Sequence, residues 1–220
     1  FFGWFGFNPG SSLGFVGGFR NLAVIAAINT LLAGAAGGVS AMTYMWIFGP
    51  AKKPDAGMSV NGLLAGLVAI TAPCAFVDQW AAVVIGLIAG VLVCFASVWL
   101  EKLKIDDPVG AVPVHMVNGA WGVLAVGIFA NGNPDSAAWN GMESAVTGLL
   151  YGGTTQILAQ LAEVVSIFVT VFVLSWLFFK ACHAFKLLRV SREDELQGLD
   201  LPEMGSLAYP TDWEPAADAS

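Results

Sequence analysis

From Val109 to Ala130 the chain stays apolar for long enough to cross a bilayer as a helix, with His115 as the one ionisable side chain inside the run. Hydrocarbon offers a polar ring no water, so an imidazole at that depth faces protein, a cavity or a pathway. Pro113 lacks a backbone donor and is expected to loosen the helix just before His115. Irregular backbone at such depth is tolerated where it lines a cavity.

Five more runs have spanning character, which makes this an all-α polytopic membrane protein with about six transmembrane helices. The expected spans are Phe1 to Val16, Leu22 to Phe48, Val60 to Ala75, Trp80 to Leu100, Pro108 to Ala130 and Thr154 to Phe179, the first and third being short. Composition agrees: 57% of residues are hydrophobic, 11% are charged and the mean hydropathy is +0.73, against about 25% charge in a soluble domain. The net charge of -7 comes largely from the acidic end of the chain, read as a solvated tail. Residues 1–187 form the expected bundle and 188–220 the expected tail. The chain opens at Phe1 with neither a methionine nor a basic leader and reads as a piece of something longer.

The basic residues test the span count. Lys52 and Lys53 follow the second span, Lys102 and Lys104 the fourth, and Lys180, Lys186, Arg189 and Arg192 close or follow the sixth, leaving Arg20 for the opposite side. Cytoplasmic ends carry the excess of Lys and Arg, so the first span runs outward and the tail is cytoplasmic.

Glycines at four-residue intervals, Gly10 and Gly14, Gly34 and Gly38, Gly62 and Gly66, Gly86 and Gly90, Gly148 and Gly152, point to close helix packing. Cys74, Cys94 and Cys182 show neither metal-ligand spacing nor a paired motif and read as reduced packing residues. Asp106, Asp107 and Pro108 read as a helix start. No metal, cofactor, catalytic or nucleic-acid motif is expected.

His115 lies about 6 Å from the middle of its span on helical geometry. Desolvation favours its neutral form, with one donor and one acceptor, which suits either a small polar solute and proton relay or an interhelical hydrogen bond. Phe5 and Phe7 bracket Gly6 and lead into Asn8, Pro9, Gly10, Ser11 and Ser12, an arrangement open to core packing or to an aromatic gate above a polar site. Glu163, alone among acids in the last span, suits a buried hydrogen-bonded role; His183, beside Lys180 and Lys186, suits the interface.

Four segments carry a family likeness: GWFGFNPGSS at Gly3 to Ser12, INTLLAGAAG at Ile28 to Gly37, DDPVGAVPVHMVNGAWGVLAVGIFA at Asp106 to Ala130, and LRVSREDELQGLD at Leu188 to Asp200. Together they resemble the ammonium transporter (Amt/Mep/Rh) family, the Amt branch more than Rh, over nearly the whole chain. The resemblance implies an eleven-helix homotrimer with one narrow pore per subunit between two inverted five-helix repeats. This chain is similar to the sixth to eleventh helices, which hold the second repeat, the last helix and the tail.

By position in those motifs, the resemblance implies that Phe7 is one of two stacked gate phenylalanines, Ser11 an ammonium-binding hydroxyl in the outer vestibule, and His115 the second member of a twin-histidine pair. The first histidine, the other gate phenylalanine and the vestibule tryptophan have no counterpart in this sequence. The implied activity is ammonium transport for nitrogen uptake across the plasma membrane: ammonium is recruited outside, deprotonated, and passed as ammonia along pore histidines. A PII-type regulatory protein is the implied partner at the cytoplasmic face, with Leu188 to Asp200 expected to be ordered and the stretch beyond about Tyr209 mobile. The alternatives are an ammonium sensor or a non-conducting truncated homologue.

Overall fold

The computed structural model describes residues 1–135 and 144–208. Among these the regular elements are helical: α1 (Phe2–Phe7), α2 (Gly18–Phe48), α3 (Ala56–Thr71), α4 (Gln79–Lys102), a π-helical segment (Val112–Val117) running into α5 (Asn118–Phe129), α6 (Gln156–Ala184) and α7 (Arg192–Gln197). Short 3-10 turns lie at Gly10–Ser12 and Leu149–Tyr151, a second π turn at Asp200–Met204, and an isolated bridge joins Asn131 to Thr147. Four of these helical stretches are long and apolar enough to cross a membrane: Gly18–Phe48, Gln79–Lys102, Val112–Phe129 and Gln156–Ala184.

The expected spans are corrected at both short places. Phe1 to Val16 forms a helix only over Phe2–Phe7, then a 3-10 turn and a bend with Leu13 at φ 58°. Gly3 and Gly6 weaken the helix, and the Pro9-Gly10 pair after it stops it. The third run is a helix of 16 residues, started by Asp55, whose Oδ1 accepts from the Met58 amide at 2.7 Å, and over before Pro73.

Core formation centres on α2, whose small residues from Ala33 to Ala41 form a seam on which α3 and α4 both lean. A Cβ on Gly86 would fall 2.7 Å from the Ala33 Cα, one on Gly90 2.9 Å from the Ala41 nitrogen, and one on Gly62 2.6 Å from the Gly37 carbonyl oxygen. Small residues thus bring backbone against backbone, where dispersion rather than the hydrophobic effect holds helices together in lipid. Of the other expected pairs, nothing lies near Gly10 and Gly152 sits at φ 89° in a turn, while Gly148 does bring backbone against backbone, a Cβ there falling 2.7 Å from the Ile128 carbonyl carbon. Asn29 fastens the assembly, its Nδ2 donating to the Cys74 and Val77 carbonyls at 2.8 Å each. Cys74 and Cys94 are buried and all three cysteines are free.

The chain divides into two compact units, Phe1–Ile167 and a second beginning at Phe168. In the second, Ser191 caps α7, its Oγ accepting from the Asp194 amide at 3.1 Å, and Arg189 pairs with Glu195. Expectations for the stretch beyond Tyr209 lie outside the described residues. Glu163 is exposed on α6 rather than buried, since nothing among the described residues covers that face.

Candidate functional site

Two places carry the candidate residues. At the α1 end, the Trp4 indole donates to Thr71 Oγ1 at 2.8 Å and its ring meets Phe7 edge-on, with centroids 6.3 Å apart. Asn8, 4% exposed, donates to Thr30 Oγ1 at 3.0 Å, and Thr30 donates to the Ala26 carbonyl at 2.6 Å. These bonds anchor a short, glycine-rich segment that its own hydrogen bonds would not hold. Phe7, Asn8, Ser11 and Ser12 line a cavity of about 220 Å³ together with residues of the bundle that include Thr71, Cys74 and Phe76.

Ser11 is exposed, and its hydroxyl donates to the Phe7 carbonyl at 2.7 Å. With its proton committed to that carbonyl, the oxygen keeps acceptor capacity for an N–H from outside. Phe7 is 58% exposed and shares the cavity with Ser11. The structure therefore brings Phe7 and Ser11 together, and it places His115 elsewhere.

His115 lies in the π-helical segment, where Pro113 occupies an early position. The expected loosening takes the form of wider winding, a deviation that recurs at functional sites. Asp107 accepts from the amides of Ala111 and Val112, both at 2.8 Å, which fixes where the segment begins. At its far end Asn118, fully buried, donates from Nδ2 to the Pro113 carbonyl at 2.8 Å, while its Oδ1 has no partner. Gly110 meets Asn61, Gly119 meets Val68 and Gly122 meets Ala69, so α5 runs beside α3 in the same direction. His115 thus stands at a level between Asn61 and Val68, about 10 Å along the bundle from Thr71 and the Trp4 contact. Its side chain is exposed on the bundle.

The pattern of the Ammonium Transporter Family matches residues 1–209. The chain belongs to the ammonium transporter family. It is similar to the ammonium transporter Amt2 of Archaeoglobus fulgidus, 47% identical over 95% of this chain and 43% of the relative, and to an ammonium transporter of Bacillus subtilis, 39% identical over 94% and 48%. Among solved structures it is similar to a sensor Amt protein, with a TM-score of 0.75 and 39% identity over 92% of this chain and 46% of that one. It is likewise similar to Saccharomyces cerevisiae Mep2, with a TM-score of 0.76 and 31% identity over 87% and 42%. The chain spans about half the length of the relatives it matches. It is the all-α, multi-pass membrane body of a transporter family, and its relatives are named as transporters rather than as enzymes.

Sequence reasoning missed two residue groups near these places. Asp78, just before α4, accepts from Asn131 Nδ2 at 2.8 Å and from the Tyr151 hydroxyl at 2.5 Å, and these donors, Tyr151 foremost, hold its carboxyl below the usual carboxylate range. Bonding to the same carboxylate raises Tyr151. The partners are 53 and 73 residues away, so no local signal announces them. Asn118 could have been found, because an amide in an otherwise apolar span has to bond to something.

Proposed function

We propose that this chain forms half of an ammonium-conducting subunit, with Ser11 receiving ammonium at the outer mouth, Phe7 gating the entrance and His115 lining the path below. The observation that carries this reading is the Ser11 hydroxyl, turned by its bond to the Phe7 carbonyl so that it accepts from outside, at a cavity that Phe7 shares. A cation that donates from every side suits such an acceptor, and an aromatic face beside it adds attraction.

The physical problem is the apolar lumen. A bare cation pays heavily to enter it, whereas ammonium that gives up a proton at the mouth enters as ammonia, a small neutral molecule. The imidazole of His115 then supplies a hydrogen bond to ammonia and a relay point for the separated proton. Potassium has no proton to give up and stays outside. The same reading makes the protein a plasma-membrane homotrimer, with residues 188–220 as a cytoplasmic tail on the side where the basic residues gather and a PII-type protein docks.

The test is uptake by the full-length reading frame in cells lacking their own ammonium transport. Ser11→Ala is expected to weaken uptake at low ammonium, and His115→Ala to abolish uptake or relax exclusion of potassium. Unchanged flux and selectivity in both variants would defeat the reading. A sensor is the second reading, favoured by the 39% identity to a structure named as a sensor Amt protein. A reading frame that carries a signalling domain, together with ammonium-dependent signalling and no accumulation of ammonium, would select it.

A further inference from the structure

Asn8 closes α1 three residues before Ser11, and it is 4% exposed. Its Nδ2 donates to Thr30 Oγ1 at 3.0 Å, and Thr30 commits its single proton to the Ala26 carbonyl at 2.6 Å. A hydroxyl committed in that way can only accept from Asn8. Thr30 therefore faces the amide nitrogen and not the amide oxygen, which fixes which way round the Asn8 amide stands. Oδ1, on the other side of the amide, has no protein donor among the described residues.

Asn29 and Asn118 also have amide oxygens without donors, and both of those are sealed inside the bundle. Asn8 differs because it borders the cavity of about 220 Å³ that Phe7 and Ser11 also line. Given the proposed role of this cavity as the ammonium mouth, on which the assignment rests, we infer that Asn8 Oδ1 is a second acceptor for ammonium beside the Ser11 hydroxyl. Thr30 is the positioning residue that turns this oxygen toward the cavity.

Ammonium donates from every side and gives up water contacts as it enters an apolar cavity. One hydroxyl and an aromatic face replace few of those contacts. An amide oxygen adds an acceptor that carries partial negative charge and no proton to repel the cation. Because Thr30 presets it, the oxygen needs no reordering on binding. A neutral acceptor also suits a cation that must next lose a proton, since a carboxylate in the same place would favour the charged form.

The experiment measures KM and kcat for ammonium uptake, together with melting temperature, on the full-length protein. Asn8→Ala and Thr30→Val remove the same anchoring bond, so both should lower the melting temperature by a similar amount. Only Asn8→Ala also removes the acceptor, so its KM should rise about tenfold, against about threefold for Thr30→Val, where the amide is free to turn. Thr30→Ser should restore both readouts. Asn8→Asp reverses the sign: its charge should lower KM and kcat together, because a firmer hold on the cation opposes loss of the proton. That variant also decides the matter where Asn8→Ala does not fold. Equal KM for Asn8→Ala and Thr30→Val, a raised KM for Asn8→Asp, or a protein donor on Oδ1 in a full-length structure would each overturn the assignment. Ser11→Ala, measured alongside, separates two failures. A normal KM there defeats the reading of the mouth, whereas a raised KM there with a normal KM for Asn8→Ala defeats the role of Asn8 alone.

Discussion

The Tyr151 hydroxyl donates to the Asp78 carboxylate at 2.5 Å, joining the start of α4 to a turn 73 residues later. Asn131 adds a second donor from the end of α5 at 2.8 Å, so one carboxylate gathers three separate segments. In the charged form Asp78 accepts both bonds, which is why its carboxyl is held below the ordinary range. A depressed carboxylate contributes stability above its unfolded value, near pH 4, and loses it as pH falls through the folded value. Because the site is partly exposed, the contribution is about 1 kcal/mol or less. Tyr151→Phe should remove most of the acid-dependent part, with little change in the slope above pH 6. Thermal melts of both proteins from pH 3 to pH 7 provide the check, and parallel curves would show that the contact does not depend on the charge.

Close contact between α2 and α4 sets a second expectation. A Cβ on Gly90 would meet the Ser40 hydroxyl and press on the backbone at Gly37 and Ala41, and that backbone cannot move aside as a side chain can. Gly90→Val should therefore lower stability by about 1–3 kcal/mol or force the helices apart. Gly10→Ala should be tolerated, since nothing lies near that position. Folded yield and melting temperature of the two variants compare them directly.

Asn118 connects packing to the candidate pathway. Its amide bonds the Pro113 carbonyl across the π-helical segment that carries His115. Asn118→Ala would leave that carbonyl unpaired in a buried place, at a cost of about 1–3 kcal/mol, and would free the segment to rewind. In the full-length protein the expected result is lower stability together with altered ammonium uptake, although Asn118 is itself buried and does not line the cavity at the mouth. A stability loss with unchanged flux per folded molecule would make Asn118 purely structural.

Much of the spanning structure was legible because runs of about 20 apolar residues have few alternatives in a bilayer. The runs around α2, α4, α5 and α6 could be read for that reason, and Pro113 disclosed an irregular backbone. The first run could not be read correctly by hydropathy, because its glycines and Pro9 count as neutral on an apolar scale yet end a helix. The pairing of Ser11 with the Phe7 carbonyl follows from a turn of four residues and was within reach. Asp78 with Tyr151 was not, since contacts over such separations depend on the packed fold. Glu163 misled in an informative way: an acid in an apolar helix was expected to be covered, and the residues that would cover it are not among those described.

Phe7 provides the sharpest separation between packing and gating. A residue fully buried in a core would cost about 3–5 kcal/mol on truncation to alanine, through lost contacts and a cavity. Phe7 is 58% exposed, and its ring contact is the edge-on one to Trp4, so Phe7→Ala should cost well under that. Trp4 is itself anchored to Thr71 and holds its place without Phe7. A gate would behave differently, because removal of the ring widens the mouth beside Ser11 and changes conduction. Ammonium flux, potassium leak and melting temperature should be measured on the same Phe7→Ala preparation of the full-length protein. Altered flux or leak with a small loss of stability supports the gate. A loss of several kcal/mol with normal flux per surviving molecule would show that the ring packs against the missing half rather than guarding the entrance.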